Sequence, residues 1–201
     1  MSATQKNVSN SQESVALLQI RAAQWLILKD RKQGLASLNE IFRKGKKPLQ
    51  SSLDGHYDGE LIALDIAPIV SKSVEVLARY WMPWKGKFLI KKDKKGDNIF
   101  GEKNRWLLKV LFPFYKNYSD YTSETFRTFV FQTSTGKGQV DQDRQVFKID
   151  YAIPENPALS IRRILDEIVQ VDEQLFLGKI HFKLWWGRWK MMGYFLLRHP
   201  S

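Results

Sequence analysis

The sequence predicts a mainly β protein, an antiparallel barrel or strongly curved sheet, with helices at its N-terminus. Three observations carry this expectation. Residues 161–198 hold three apolar runs without proline, broken at Val171-Asp172-Glu173 and near Gly187, and each run has strand length. In the middle run Ile180, Phe182 and Leu184 alternate with Lys179, His181 and Lys183. That period of two puts the apolar set on one strand face and the basic set on the other. Further short runs upstream are separated by glycine, proline and polar links.

The elements follow in chain order. Residues 1–11 are polar and read as a disordered tail. Ser11 or Ser14 can cap a helix over 15–28, with Leu17, Ile20 or Arg21, Gln24 or Trp25, and Leu28 recurring at helical spacing. After Gly34 a second helix is expected over 35–42, on Leu35, Leu38, Ile41 and Phe42, stopping at Gly45 and Pro48. This gives a helical segment over 12–48 and a barrel domain over 49–201. A first strand is expected over 57–66, with Gly55 and Gly59 allowing a bend. Pro68 opens a helical stretch, with Ile69, Val70, Val74, Leu77 and Trp81 on one face.

Residues 87–100 read as a hairpin with its turn at Lys95-Gly96-Asp97-Asn98. Residues 85–95 carry six lysines and one aspartate, a pattern that guards an exposed strand edge. Residues 105–118 are the most apolar and aromatic stretch, broken by Pro113. Periodicity leaves strand and short helix both open there; the first expectation is core, and the alternative is the mouth of a cavity or a membrane-touching lip. Strands are expected over 125–133 and 146–153, joined by a polar, glycine-bearing loop. Residues 161–198 then form a three-stranded meander.

Bulk composition narrows the function classes. At 201 residues and 43 % hydrophobic content the chain can bury a core. It has no cysteine, which excludes disulfides, thiolate metal sites and a cysteine nucleophile and suits a reducing compartment. Three scattered histidines give no zinc pattern. No metal or cofactor is expected. The net charge of +11 favours anionic partners, an acidic membrane surface or nucleic acid. No run approaches the length of a membrane span, and the first residues lack the order of a signal peptide. A cytoplasmic protein, free or bound peripherally to a membrane, is the expectation.

No catalytic motif with a local spacing is present. The unusual residues are polar ones inside apolar runs: Arg127, Asp150, Asp166, Glu167 and Lys179. Neighbours in a strand face opposite ways, so only one of Asp166 and Glu167 can enter a barrel. A buried carboxyl needs a partner, and Lys179 or Arg127 can supply it. Trp185, Trp186 and Trp189 stand among Lys183, Arg188 and Lys190, a mixture suited to a membrane interface or to nucleic-acid stacking. The alternative is that these tryptophans pack under the N-terminal helices.

The order of several motifs resembles the GXWXG/DUF4334 family. Its Gly-x-Trp-x-Gly turn has a counterpart in Gly55-His56-Tyr57-Asp58-Gly59, with Tyr57 for the tryptophan. Its Trp-x-Gly-Lys motif matches Trp84-Lys85-Gly86-Lys87, with Phe88 following. Later counterparts are Asp150-Tyr151-Ala152-Ile153-Pro154, Asp166-Glu167, Leu177-Gly178-Lys179 and Tyr194-Phe195-Leu196-Leu197. The Thr-Gly-His-Pro that follows the family's turn is absent. The resemblance spans about residues 35–198 and implies a lipocalin-like (calycin) barrel, a fold that holds apolar ligands.

The expected function is non-catalytic binding of a hydrophobic or lipid-like small molecule inside the barrel. Trp81, Trp84, Phe129, Tyr151, Phe182 and Phe195 are the expected lining, with Asp166 as polar anchor and Lys179 or Arg127 for a head group, an anionic one included. A peripheral membrane- or RNA-binding module is the first alternative. An enzyme using Asp166 or Glu167 is the second.

Overall fold

The computed structural model describes residues 14–49, 53–64 and 84–200. The tail expected at 1–11, the helix at 69–81 and Trp81 lie outside these residues. Two helices come first. In α1 (Val15–Lys29) the Ser14 side chain caps the Leu17 amide at 3.3 Å. Asp30 closes α1 and caps α2 (Arg31–Lys44) through the Gln33 amide at 3.0 Å. That cap starts α2 four residues before the expected Leu35. Gly34 thus falls inside the helix, where a Cβ would stand 2.5 Å from the Ile27 side chain. The buried stripe of α1 is Leu17, Ile20, Ala23 and Ile27. Trp25 and Leu28, expected on that stripe, face outward.

The strands are β1 (Gly55–Leu64), β2 (Trp84–Ile90), β3 (Lys95–Gly101), β4 (Tyr118–Thr122), β5 (Thr125–Lys137), β6 (Gln145–Asp150), β7 (Ile164–Asp172), β8 (Leu175–Lys183) and β9 (Trp189–Arg198). They pair in the order β3-β2-β1-β9-β8-β7-β6-β5, and β3 pairs with β5 to close the ring. The result is an eight-stranded antiparallel barrel, and closure removes the open sheet edges. Strand β4 adds to β5 beyond the point where β6 leaves it. The three-stranded C-terminal meander is present as expected.

Each strand alternates between an inner and an outer face. The inner face carries Tyr57, Leu89, Phe131, Phe147, Ile149, Ile168, Phe176, Phe195 and Leu197 in one buried cluster. The outer face of β1, β9, β8 and β7 is covered by the helices. There Ile20, Leu38 and Phe42 pack on Val169, Leu177, Tyr194 and Leu196. The chain leaving α2 is tied to β7 by reciprocal backbone bonds between Lys46 and Gln170, at 2.9 and 2.7 Å.

Three expectations need correction. The β2–β3 turn lies at Lys91–Lys94, not at 95–98; Lys94 takes the left-handed conformation at φ 49°, which frees Lys95 to start β3. Residues 105–118 are core only in part: Leu108 and Tyr115 join the buried cluster, with Phe112 and Tyr118 packed against it, while Trp106, Val110, Leu111 and Phe114 are exposed. The segment forms α3 (Arg105–Leu111), in which only Leu108 is buried, and a turn outside the barrel. The expected pairing of Asp166 with Lys179 or Arg127 is also absent, because Lys179 is buried in the outer wall, on the face opposite Asp166, and Arg127 pairs with Asp97.

The barrel has two unlike ends. At one end lie the β2–β3, β5–β6 and β7–β8 turns, and the interior is shut by Leu53, Tyr57 and Phe176, with Tyr57 edge-on to Phe176 and to His199 at 5.7 and 5.5 Å. At the other end β1 stops, β2 begins, and the chain passes from β3 through α3 to β5, from β6 to β7 and from β8 to β9. Here inward-facing Trp84, Ile164 and Ile180 remain only partly buried. Phe182, two residues beyond Ile180 on the same face of β8, is also partly exposed.

A buried polar cluster beneath the open end

Within the aromatic interior sit four polar side chains: Lys87, Asn98, Tyr151 and Asp166. Lys87 shares the inner face of β2 with Leu89, and its register partner on β3 is Asn98. Tyr151 follows the last residue of β6, and Asp166 is the third residue of β7. Lys87 Nζ donates to Asn98 Oδ1 at 2.9 Å, to Asp166 Oδ2 at 2.9 Å and to the Tyr151 hydroxyl. All three ammonium protons are therefore used. Tyr151 Oη lies 3.1 Å from Asn98 Oδ1 and 3.2 Å from Asp166 Oδ2, either of which can accept its proton. Asn98 is held in turn: its Nδ2 donates to the Phe129 carbonyl, and its Oδ1 accepts from Trp84 Nε1, both at 3.1 Å.

Four aromatic rings surround the ammonium. Trp84, Phe131, Tyr151 and Phe195 all have centroids between 5.2 and 5.4 Å from Nζ. Such faces stabilise a desolvated cation. Burial nevertheless pushes the Lys87 ammonium below its usual range, against the opposing pull of Asp166. Burial, and then Asp166, push the Tyr151 phenol well above its usual value, so it stays a donor at neutral pH.

Glycines make room for these rings. A Cβ on Gly59 would come 2.5 Å from the Trp84 ring, and one on Gly178 would come 2.1 Å from the Phe195 ring. Gly86 has φ 150°, and a Cβ there would meet the Tyr57 carbonyl at 2.0 Å. The two segments that carry the GXWXG resemblance pair directly, Tyr57 opposite Lys87 and Asp58 opposite Gly86.

Asp166 has one oxygen to spare. Both of its hydrogen bonds fall on Oδ2, and Oδ1 takes none among the described residues. The side chain keeps 6 % of its surface. It lies one inward position below Ile164, toward the end where Trp84, Ile164 and Ile180 stay partly exposed.

Of the other residues singled out from sequence, Trp84, Tyr151, Phe195 and Asp166 meet in this cluster. Phe129 contributes its backbone carbonyl, and Phe182 lies at the rim. Lys179 and Arg127 are elsewhere. Lys179 is on the outer wall beneath α2, where it pairs with Asp141, donates to Asn39 Oδ1 at 2.6 Å and lies 4.3 Å from the Phe42 ring. Arg127 forks onto Asp97 at 2.6 and 2.8 Å and covers Phe88 on the outside. The partner of Asp166 is thus Lys87, one member of the lysine run whose pattern suggests edge protection. Its shared face with Leu89 was the available signal. Asn98, expected in the turn, lies in β3 opposite Lys87. Glu167, on the opposite face from Asp166, faces His181 at 3.1 Å and accepts the Gln139 amide at 2.6 Å in the outer wall.

Among the described residues no group of histidine and acidic side chains could hold a metal ion, and no helix is long and apolar enough to cross a membrane. No protein-family model and no curated protein matches the chain. Among solved structures, a protein from Thermomonospora curvata aligns with 90 % of this chain and 99 % of its own, at 13 % identity and a TM-score of 0.48.

Proposed function

We propose that the barrel holds a small amphipathic molecule without transforming it. The apolar part of the guest would lie among Trp84, Ile164, Ile180 and Phe182. Its polar end would donate a hydrogen bond to Asp166 Oδ1. The observation that carries this reading is that oxygen, which lacks a donor among the described residues at the base of a greasy barrel end whose rim side chains stay partly exposed. A hydroxyl or amine suits the position. An anionic head group suits it less, because Lys87 has no proton left to offer and a carboxylate would face Asp166. The lipocalin-like character and the GXWXG/DUF4334 resemblance belong to the same proposal.

Native mass spectrometry of the purified full chain tests it. A bound neutral or cationic small molecule, one per chain and released on unfolding, is the expected result. A chain that carries no adduct and retains no added dodecanol would contradict it.

A further inference from the structure

We propose that the open end of the barrel docks on an anionic lipid surface. The described residues distribute their exposed apolar side chains unevenly. In and after α3, Trp106, Val110, Leu111 and Phe114 are 60, 66, 59 and 94 % exposed. Leu159, between β6 and β7, is 72 % exposed, and Trp185 and Trp186, between β8 and β9, are 70 and 67 % exposed. All three connections leave the barrel at the same end. The three turns of the opposite end contribute Val140 alone among the described large exposed apolar residues.

The end also has the matching charge. Lys103, Lys109, Lys116, Arg162, Lys183 and Arg188 are exposed among these connections. Among the described residues of these connections the acids are fewer: Glu102 and Asp120 are held by Arg105, which leaves Glu124 and Glu155. The Arg163 guanidinium lies 3.8 Å from the Trp185 ring. Tryptophan beside cations at a water–lipid boundary satisfies the indole, the apolar ring body and the charge together. The α3 turn and residues 155–160 enclose a groove of about 590 Å³, wide enough for part of an acyl chain. Its wall includes Phe112, whose ring meets the buried Phe129 ring at 5.3 Å, so the groove abuts the barrel core.

Lipid is favoured over nucleic acid by the residue types. Val110, Leu111 and Leu159 have no ring to stack on a base, yet they are as exposed as the tryptophans. The docking face does not depend on whether the interior holds a guest.

The test is co-sedimentation of the full chain with vesicles of phosphatidylcholine alone and of phosphatidylcholine with phosphatidylserine, at low and high salt. Binding is expected to the serine-containing vesicles and to weaken with salt. Trp106→Ser with Phe114→Ser, and separately Lys109→Glu with Lys116→Glu, should each weaken it about tenfold or more, with the circular dichroism spectrum unchanged. Both pairs are exposed, so the fold should tolerate them. Binding unaffected by either pair would overturn the proposal. So would a wild-type chain that ignores anionic vesicles, whether or not it binds single-stranded RNA under the same conditions.

Discussion

Lys87 Nζ stands 2.9 Å from Asp166 Oδ2, with the two side chains 2 % and 6 % exposed, in a barrel interior lined mostly by aromatic and aliphatic groups. Taking both groups out of water costs several kcal/mol each, and the pair is held by the three hydrogen bonds of the Lys87 ammonium and the two on Asp166 Oδ2 as well as by Coulomb attraction.

That relationship makes the effect of truncation asymmetric. Lys87→Met should destabilise the chain by about 3–5 kcal/mol, because Asp166 is left buried without its cation. Adding Asp166→Leu to that variant should recover most of the loss, since an apolar pair of similar volume removes the desolvation cost. Urea denaturation of the two variants measures this. A single variant as stable as the wild type would show that the pair is not buried as described.

The contact of Gly178 with Phe195 is equally specific. Gly178→Ala places a methyl 2.1 Å from a fully buried ring that has interior neighbours on its other sides. A loss of about 1–3 kcal/mol is expected, accompanied by changed tryptophan fluorescence, because the Phe195 ring lies edge-on to Trp84 at 5.5 Å.

The outer wall should govern acid stability. Burial pushes the Asp141 carboxyl up, but hydrogen bonds from Lys179 and Arg43 outweigh it and hold the group below its usual 3.8. Glu167 is likewise held below 4.5, burial being outweighed by His181 and the Gln139 amide. A folded-state value below the unfolded one gives stability that is present above the unfolded value and is lost as pH falls through the folded one. The melting temperature should therefore decline below about pH 4.5, and less so in Asp141→Asn. Buried Lys179 and Lys87 act at the other extreme. Burial lowers both from 10.5, so the unfolded chain binds more protons in the window below that value, and these two groups favour folding more as pH rises through it. A thermal melt series across pH checks both signs.

Much of this arrangement was legible in the sequence. The alternation of Ile180 and Phe182 with Lys179 and His181 set the faces of β8 correctly, and the same rule predicts that Asp166 and Glu167 face opposite ways without saying which enters the barrel. What covers a face does not follow from alternation. Lys179 and His181 are buried although a basic face alternating with an apolar one also fits solvent: α2 packs over Lys179 from about 140 residues away in sequence, and His181 pairs with Glu167 of the neighbouring strand. Lys87 was obscured by the lysines around it, which are exposed on the β2–β3 turn, so a charge run concealed one member with a different role. The segment at 105–118 divides: Leu108 and Tyr115 reach the core as its apolar content suggested, yet α3 presents Trp106, Val110 and Leu111 to the outside.

The most direct measurement is calorimetric titration of the purified chain with dodecanol and with dodecanoate, repeated on Asp166→Asn. A guest anchored on Asp166 Oδ1 gives saturable binding of the alcohol at one per chain, binding of the carboxylate weaker by about tenfold, roughly the cost of one unmade hydrogen bond to a charged group, and a narrowed gap in the variant. Equal affinity for the two compounds in wild type and variant alike, or no binding of either, would contradict it.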